Sequence, residues 1–546
     1  VLYFRSCTNR RRPRLAGKFY AGLCQKTLKY TKYPCAFLAS AAVKFARQSV
    51  RFGDWYRFSF FLSVPVFPPE YKGREGDIWE NLPGQEFFRP FCSPTAVSLV
   101  LMDVRARRAA DLHLPELQHG GPFLMELLTY VTYACSLIMT AYTVYFFVIA
   151  LFSVKKPKQY PRAAPRTRFA VLVAARNEEA VIGGLVESLM AQRYPRELYD
   201  VIVVPNNCTD ATGPVAARAG GTVLPCTVPT SSKGEVLDFA LNRIFRWKKR
   251  YDAVCVFDAD NLVHPDFLAR MNDAYQAGAR VAQAYRDSKN PTDTPISGCY
   301  SIYYWMVNRF YSQARAAIGL NAIINGSGFM VSMEILREQG GWKTATITED
   351  IEFSALCALK GRRIWWVPEA VTFDEQPLTF AQSWKQRKRW STGMVQCMER
   401  YSGALLGSAL GGNLRSFDSL MFFLVPVIQV LGLLAVAGSG VFELSGIRYG
   451  LFPRVDLFYQ LFFAVNVSFM TTFAGAFLAV VANGKAVWPM LRGMVWYWVF
   501  IMSWMPLNLL CLVKRSTTWE AIPHTRAIRL SGAGKPEGQV LPGVRL

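Results

Sequence analysis

Three short polar islands carry residue types that could do chemistry: Asp258-Ala259-Asp260, Thr348-Glu349-Asp350 and Gln386-Arg387-Lys388-Arg389-Trp390. Two carboxylates two residues apart at the end of a strand can both reach one hard divalent cation. Mg2+ or Mn2+ there would be shared between Asp258, Asp260 and the oxygens of a phosphate-bearing ligand. It would neutralise the charge growing on a departing diphosphate. Asp350 has the chemistry of a general base for a hydroxyl group. Arg389 can pair bidentately with a diphosphate, and the Trp390 indole offers a flat face to a sugar ring. Each island alone also has a plain structural reading. The first could be a loop or capping acid pair. Thr348 could cap the apolar-periodic stretch Ile351 to Leu359, with acids in its first turn favoured by the helix dipole. A basic helix at an interface accounts for Arg387 and Lys388.

The elements that must position these residues follow from the apolar patterning. Phe169 to Ala175, Asp200 to Val204 and Tyr251 to Phe257 are apolar runs that predict buried strands, the last ending at Asp258. Helical patterns lie between them, for example Glu179 to Gln192. Strand–helix alternation predicts an α/β domain with a mostly parallel sheet. Ligands bind such sheets at the carboxyl ends of the strands, where Asn177, Asn206, Asp210, Asp258 and Asp260 fall.

The rest of the chain is greasier. The 546 residues are 51% hydrophobic with only 18% charged, and the excess is concentrated in blocks. Pro122 to Val154 is an almost uninterrupted apolar run, long enough for a tilted membrane-spanning helix. Lys155, Lys156, Lys158, Arg162, Arg166 and Arg168 follow it, a positive-inside flank that predicts a cytoplasmic domain. Further apolar segments lie at about 417–442, 456–483 and 489–513. One helix before the domain and three after it would leave the tail outside, yet Lys514, Arg515, Arg526 and Arg529 argue for inside. Either one segment lies in the interface or one long segment is a helical pair. The formal charge of +23 accompanies no nucleic-acid motif, so it is assigned to cytoplasmic loops and to an anionic nucleotide substrate. The 12 cysteines include no CxxC pair, which argues against a zinc site or a disulfide framework.

The three islands, in this order, resemble the processive membrane type of family 2 glycosyltransferases, the cellulose, chitin, hyaluronan and poly-N-acetylglucosamine synthases. The resemblance runs from about Gly121 to Arg529. It implies a GT-A-like α/β domain with a mostly parallel sheet, fused to transmembrane and interfacial helices. By this likeness Asp258 and Asp260 bind metal and donor diphosphate, and Asp350 is the base. Gln386, Arg389 and Trp390 contact diphosphate and acceptor, with Glu349 on the acceptor side. The turn holding Asn177 and Glu178 resembles the family's first nucleotide loop. Lys233 resembles its diphosphate-contacting lysine, although an exposed lysine at a helix start has the same sequence. Asn325 to Phe329 resembles the small-residue loop beneath the acceptor, with Asn325 expected to hold the loop. The chain departs from the family at Asn206, which stands where an acidic residue usually holds uracil; a contact there would be neutral, and Asp210 would be structural.

The expected organisation is therefore as follows. Residues 1–120 are poorly ordered, or an artefact of a misassigned start or reading frame. Residues 121–154 are a transmembrane helix, 155–376 a cytoplasmic catalytic domain, and 377–412 an amphipathic interfacial segment. Residues 413–515 form a C-terminal membrane region and 516–546 a polar tail. The expected activity is processive transfer from a nucleotide sugar, a UDP-sugar such as UDP-N-acetylglucosamine or UDP-glucose, to a growing β-linked polysaccharide. The enzyme would sit in a plasma or inner membrane, with no nucleic-acid partner and with room for a partner subunit or oligomer. Transfer of one sugar to a lipid or short acceptor is the alternative. A nucleotide-binding transporter or scaffold is the remote one, since the apolar segments lack the embedded charges of a transport path.

Overall fold

A computed structural model describes residues 121–444 and 457–513. The expectations for residues 1–120 and for the tail lie outside these described residues. Helix α1 (Gly121–Leu151) precedes an α/β domain. Its first part runs β1 (Phe169–Ala175), α2 (Ile182–Met190), β2 (Tyr199–Pro205), α3 (Thr212–Arg218), β3 (Thr222–Val223), α4 (Lys233–Ile244) and β4 (Ala253–Asp258). The second part runs β5 (Leu262–Val263), α5 (Phe267–Gln276), β6 (Val281–Ser288), α6 (Pro295–Met306), a π-helix (Val307–Gln313), α7 (Ala314–Ala317), β7 (Phe329–Ser332), α8 (Met333–Glu338), α9 (Glu349–Leu359) and β8 (Ile364–Asp374).

The eight strands of the described residues form one sheet, in the order β3-β2-β1-β4-β7-β6-β8-β5. β1 pairs in parallel with β2 and β4, β2 with β3, and β6 with β8. β7 enters antiparallel to both β4 and β6, and β5 antiparallel to β8, so the sheet is mixed at its second half. Strand β1 shows why its sequence reads as one apolar run. Phe169, Val171 and Val173 pack toward α2 and α5, while Ala170 and Leu172 pack toward α4. With helices on both faces, alternation has no polar side to show. Full burial of each such Val or Leu contributes roughly 1.5–3 kcal/mol.

After the sheet come α10 (Phe380–Leu410), α11 (Leu414–Phe423), α12 (Val425–Leu444), α13 (Leu457–Ala482), α14 (Val487–Met502) and α15 (Trp504–Val513). Thr379 and Gln382 cap α10 reciprocally. Among the described residues, the stretches 126–154, 461–482 and 487–513 are long and apolar enough to cross a membrane. Helices α11 and α12 meet at a 52° bend and together pass the same test. The bend falls where Pro426 cannot donate a backbone N–H. The first apolar segment after the domain is thus a helical pair.

Arg387 departs from the expectation of a solvated basic face. It is fully buried, donating to the Phe500 carbonyl at 2.9 Å, to Ser503 Oγ at 2.8 Å and to Ser383 Oγ at 3.1 Å. It ties α10 to the junction of α14 and α15. The helical period of the sequence cannot say which face meets another helix, so a buried guanidinium reads as an exposed one.

Candidate active site

The two loops at the carboxyl ends of β1 and β2 are laced together. Asn177 and Asn207 both adopt positive φ, 55° and 47°, a conformation asparagine tolerates better than most residues. Asn177 Oδ1 accepts from the Thr209 N–H at 2.8 Å, and the Glu179 carboxylate from the Ala211 N–H at 2.8 Å. Asp210 accepts from the N–H groups of Glu179 and Thr212, and from the Thr212 hydroxyl. Asp210 is therefore structural, and the carbonyl of Asn177 is spent on the second loop. Asn206 behaves differently. Its Nδ2 donates to Thr230 Oγ1 at 3.3 Å, while its Oδ1 is buried with no partner among the described residues. An unpaired buried acceptor costs free energy until something donates to it.

Strand β4 delivers Asp258 to the centre of the site. Ser232 caps α4 with its side chain, so Lys233 opens that helix and turns inward. Its Nζ lies 2.5 Å from Asp258 Oδ1, 2.7 Å from the Gly326 carbonyl and 3.6 Å from Glu349 Oε1. The exposed-lysine alternative is thereby overturned, the side chain being 22% exposed. Burial works against the ammonium, but Asp258, Glu349 and Asp350 outweigh it and hold the lysine pKa above its ordinary value. Burial also raises the Asp258 carboxyl, yet Lys233 and Arg286 win and keep it below its usual range. Burial pushes Glu349 up to about 7, with Lys233 opposing and Asp350 adding to the rise. It pushes Asp350 up as well, against the backbone N–H of Ile351 and Lys233.

Thr348 occupies the cap position of α9 without a side-chain cap bond, so the capping account of this island is not what the threonine does. Its side chain instead lies under α10. A Cβ added to Gly393 would fall 2.3 Å from Thr348 Oγ1, so only glycine lets the two helices meet there. Gly326 stands at φ 89°, a backbone conformation that favours glycine. A Cβ on it would lie 3.5 Å from Asp350 Oδ2 and 3.6 Å from Asp258 Oδ2. The glycine leaves open the space between these two carboxylates.

One cavity of about 950 Å³ is lined by Asn177, Glu178, Asn206, Lys233, Asp258, Asp260, Glu349, Asp350, Gln386, Arg389 and Trp390. The fold thus brings these eleven residues to one space, while Asp210 and Arg387 lie outside its lining. Arg389 makes no ion pair among the described residues. Trp390 is one member of an aromatic cluster rather than a lone face. Its ring stacks near Trp504 (6.2 Å, 26°) and Tyr303 (6.3 Å, 24°).

Asp258 and Asp260 fit a hard divalent ion whose remaining ligands come from phosphate and water. Among the described residues no set of three or more His, Cys, Asp or Glu side chains is arranged to hold a metal by itself. Two carboxylates are a partial donor set, suited to an ion that arrives with a diphosphate.

The sequence reading missed several lining residues. Arg286 on β6 pairs with Asp374 at the end of β8, and its guanidinium lies 4.4 Å from the Tyr304 ring centre. It also donates to the Asn325 carbonyl. Asp374 accepts from Asn261 at 2.7 Å, tying the turn after Asp258 to the far half of the sheet. Arg286 shares its strand with Gln283, Asp287 and Ser288, so no clean apolar run marked it in the sequence. Asn325 does not hold its loop through its side chain, whose amide atoms are buried without partners among the described residues.

Residues 165–393 match the family model described as Glycosyltransferase like family 2. This segment is a glycosyltransferase family 2 domain. The glycosyltransferase domain brings relatives with it. The chain is 27% identical over 335 residues to the probable glycosyltransferase YdaM of Bacillus subtilis, covering 59% of this chain and 74% of that protein. It is 29% identical over 266 residues to a beta-monoglucosyldiacylglycerol synthase of Nostoc sp., covering 47% and 55%. A poly-beta-1,6-N-acetyl-D-glucosamine synthase of Staphylococcus aureus is 23% identical over 226 residues, covering 41% and 53%. The chain therefore spans little more than half the length of the last two.

Proposed function

We propose that this chain is a membrane-bound inverting glycosyltransferase that moves one sugar from a uridine diphosphate sugar to a hydroxyl group of a membrane glycerolipid. The observation that carries this reading is the make-up of the cavity. The carboxylates and lysine of the α/β domain share it with Phe422, Val425, Pro426 and Ile501 of the apolar helices. A substrate that fills it has a reacting hydroxyl at one end and hydrocarbon at the other. The likeness to a diacylglycerol-glycosylating enzyme supports the same reading.

In the reaction, Asp350 takes the proton of the acceptor hydroxyl, helped by a pKa raised toward the working range. The acceptor oxygen attacks the anomeric carbon from the face opposite the diphosphate. The bond from that carbon to the phosphate oxygen breaks, and the diphosphate leaves with the electron pair, which inverts the configuration. Lys233 and Arg389 carry positive charge toward the leaving group. A divalent ion, Mg2+ or Mn2+, held by Asp258 and Asp260, would supply further positive charge there. The free Asn206 Oδ1 is suited to accept from the imide N–H of uracil, which replaces the family's charged contact with a neutral one. The basic flank from Lys155 to Arg168 supports a cytoplasmic position for the domain.

Processive elongation of a polysaccharide is the second reading, favoured by the aromatic stack of Trp390, Trp504 and Tyr303. Product size separates the two. Full-length protein in nanodiscs, given radiolabelled UDP-glucose or UDP-N-acetylglucosamine and diacylglycerol, is expected to yield a lipid carrying one sugar. A high-mass glycan with no labelled lipid would overturn the proposal. Asp350→Asn is expected to lower turnover by roughly 100-fold or more.

A further inference from the structure

Two amide side chains sit at the membrane end of the cavity, and the reaction chemistry gives them no task. Gln429 belongs to α12 and Asn508 to α15, both within apolar stretches long enough to cross a membrane. Both line the cavity, and Asn508 is 4% exposed. Asn508 Nδ2 donates to Gln429 Oε1 at 2.6 Å. Polar side chains at membrane depth are costly and mark substrate paths when they face a cavity.

The bond between them leaves a definite remainder. It uses one N–H of Asn508 and the carbonyl of Gln429. Gln429 keeps both of its amide N–H groups, and Asn508 keeps one N–H and its carbonyl. None of these makes a further hydrogen bond among the described residues. Interchanging the two amides leaves the same remainder, three N–H groups and one carbonyl without partners. The pair thus offers three N–H groups to an occupant of the cavity. Its neighbours are apolar: Val425 lies one helical turn before Gln429, and Trp504 one turn before Asn508. A polysaccharide would set many further hydroxyl groups against these apolar neighbours. The two ester groups of a diacylglycerol bring carbonyl acceptors and no donors, flanked by hydrocarbon.

We infer that Gln429 and Asn508 form a subsite for the ester carbonyls of the acceptor glycerolipid, and that they set the acceptor's depth so that its free hydroxyl reaches Asp350. This inference rests on the lipid-acceptor reading and adds the linkage chemistry that the acceptor must have.

The test compares 1,2-dioleoylglycerol with its diether analogue, 1,2-dioleylglycerol, which has the same chains and hydroxyl but no carbonyls. Full-length protein in nanodiscs is assayed with UDP-sugar donor and each acceptor. The wild-type kcat/KM is expected to be roughly fivefold higher for the diester, the worth of about one net hydrogen bond. Gln429→Leu and Asn508→Leu, measured separately, are expected to bring that ratio to about one by lowering the diester value. Retained UDP binding by calorimetry identifies a folded variant, and Gln429→Met gives a second substitution at that position. Should neither position yield folded protein, the wild-type ratio alone decides. A wild-type ratio near one, or variants that keep the wild-type ratio, would overturn the subsite while leaving lipid glycosylation standing. Transfer to neither glycerolipid would remove the lipid-acceptor reading and the subsite together.

Discussion

At Lys233 one ammonium group faces three carboxylates, those of Asp258, Glu349 and Asp350. The four groups make a site whose charge balance shifts with pH. Glu349 has an ordinary pKa of 4.5 and is pushed up to about 7. Below 4.5 it is protonated in the folded and the unfolded chain alike. Between 4.5 and about 7 the folded chain holds a proton that the unfolded chain has lost, so stability falls as pH rises through this window. The thermal midpoint in detergent is expected to be higher at pH 5 than at pH 8. Glu349→Gln should shrink that difference, by the equivalent of about 1–3 kcal/mol. Asp374, which burial likewise pushes up to about 7, leaves part of the slope in place. The proposed metal pair, Asp258 and Asp260, carries a requirement for a divalent ion. Chelation is expected to abolish transfer and added Mn2+ or Mg2+ to restore it. Asp260→Asn should raise the metal concentration needed for half-maximal rate by roughly tenfold or more. An unchanged requirement in that variant would remove Asp260 from the ion's ligands.

Helices α9 and α10 bring Asp350, the proposed base, and Arg389 to one cavity, and the closeness of their contact is set by Gly393 against Thr348. Gly393→Ala is expected to cost about 1–3 kcal/mol, the usual range for overpacking, and to lower kcat by about tenfold because the Thr348-Glu349-Asp350 turn must move. A melting curve and initial rates on the same preparation check both. This contact was not legible in the sequence. Gly393 is a single helical glycine, and nothing in its spacing announces what lies opposite. Strands β1, β2 and β4, by contrast, were readable as runs of small and branched apolar residues, and Asp258 was readable as the end of one. Lys233 lay between these cases, since its side chain could have pointed out or in. The ring of carboxylates around it decided the matter, and those come from β4 and α9, far apart in the chain.

Across the whole molecule, the α/β domain and the apolar helices are joined at a buried ion pair. Arg315 on α7 contacts Asp418 on α11 at 2.9 Å, and the Tyr145 hydroxyl on α1 donates to the same carboxylate at 2.7 Å. Removing one partner from such a pair leaves a buried charge uncompensated, while removing both can be nearly neutral. Arg315→Met is expected to destabilise the protein by about 3–5 kcal/mol, seen as a lower thermal midpoint and lost transfer. The double variant Arg315→Met/Asp418→Leu should recover most of the midpoint. If the single and double variants melt alike, the pair is not what joins these parts.

The sequence by itself determined the α/β domain, the three islands and the apolar segments, because strand ends, motif spacing and segment length are local properties of a chain. It also supplied the family resemblance that named a base and a metal pair. Only the tertiary structure decided that Lys233 faces inward, that Arg387 is a buried clamp, and that the first apolar segment after the domain is a bent pair. It alone brought Arg286, Trp504, Gln429 and Asn508 to the wall of the site. These outcomes depend on which surfaces meet across long separations in the chain. That is fixed by packing and by the pairing of buried polar groups, and no local period records it. The acceptor end of the cavity belongs wholly to this second kind, which is why the islands suggested a polymer and the assembled cavity supports a lipid.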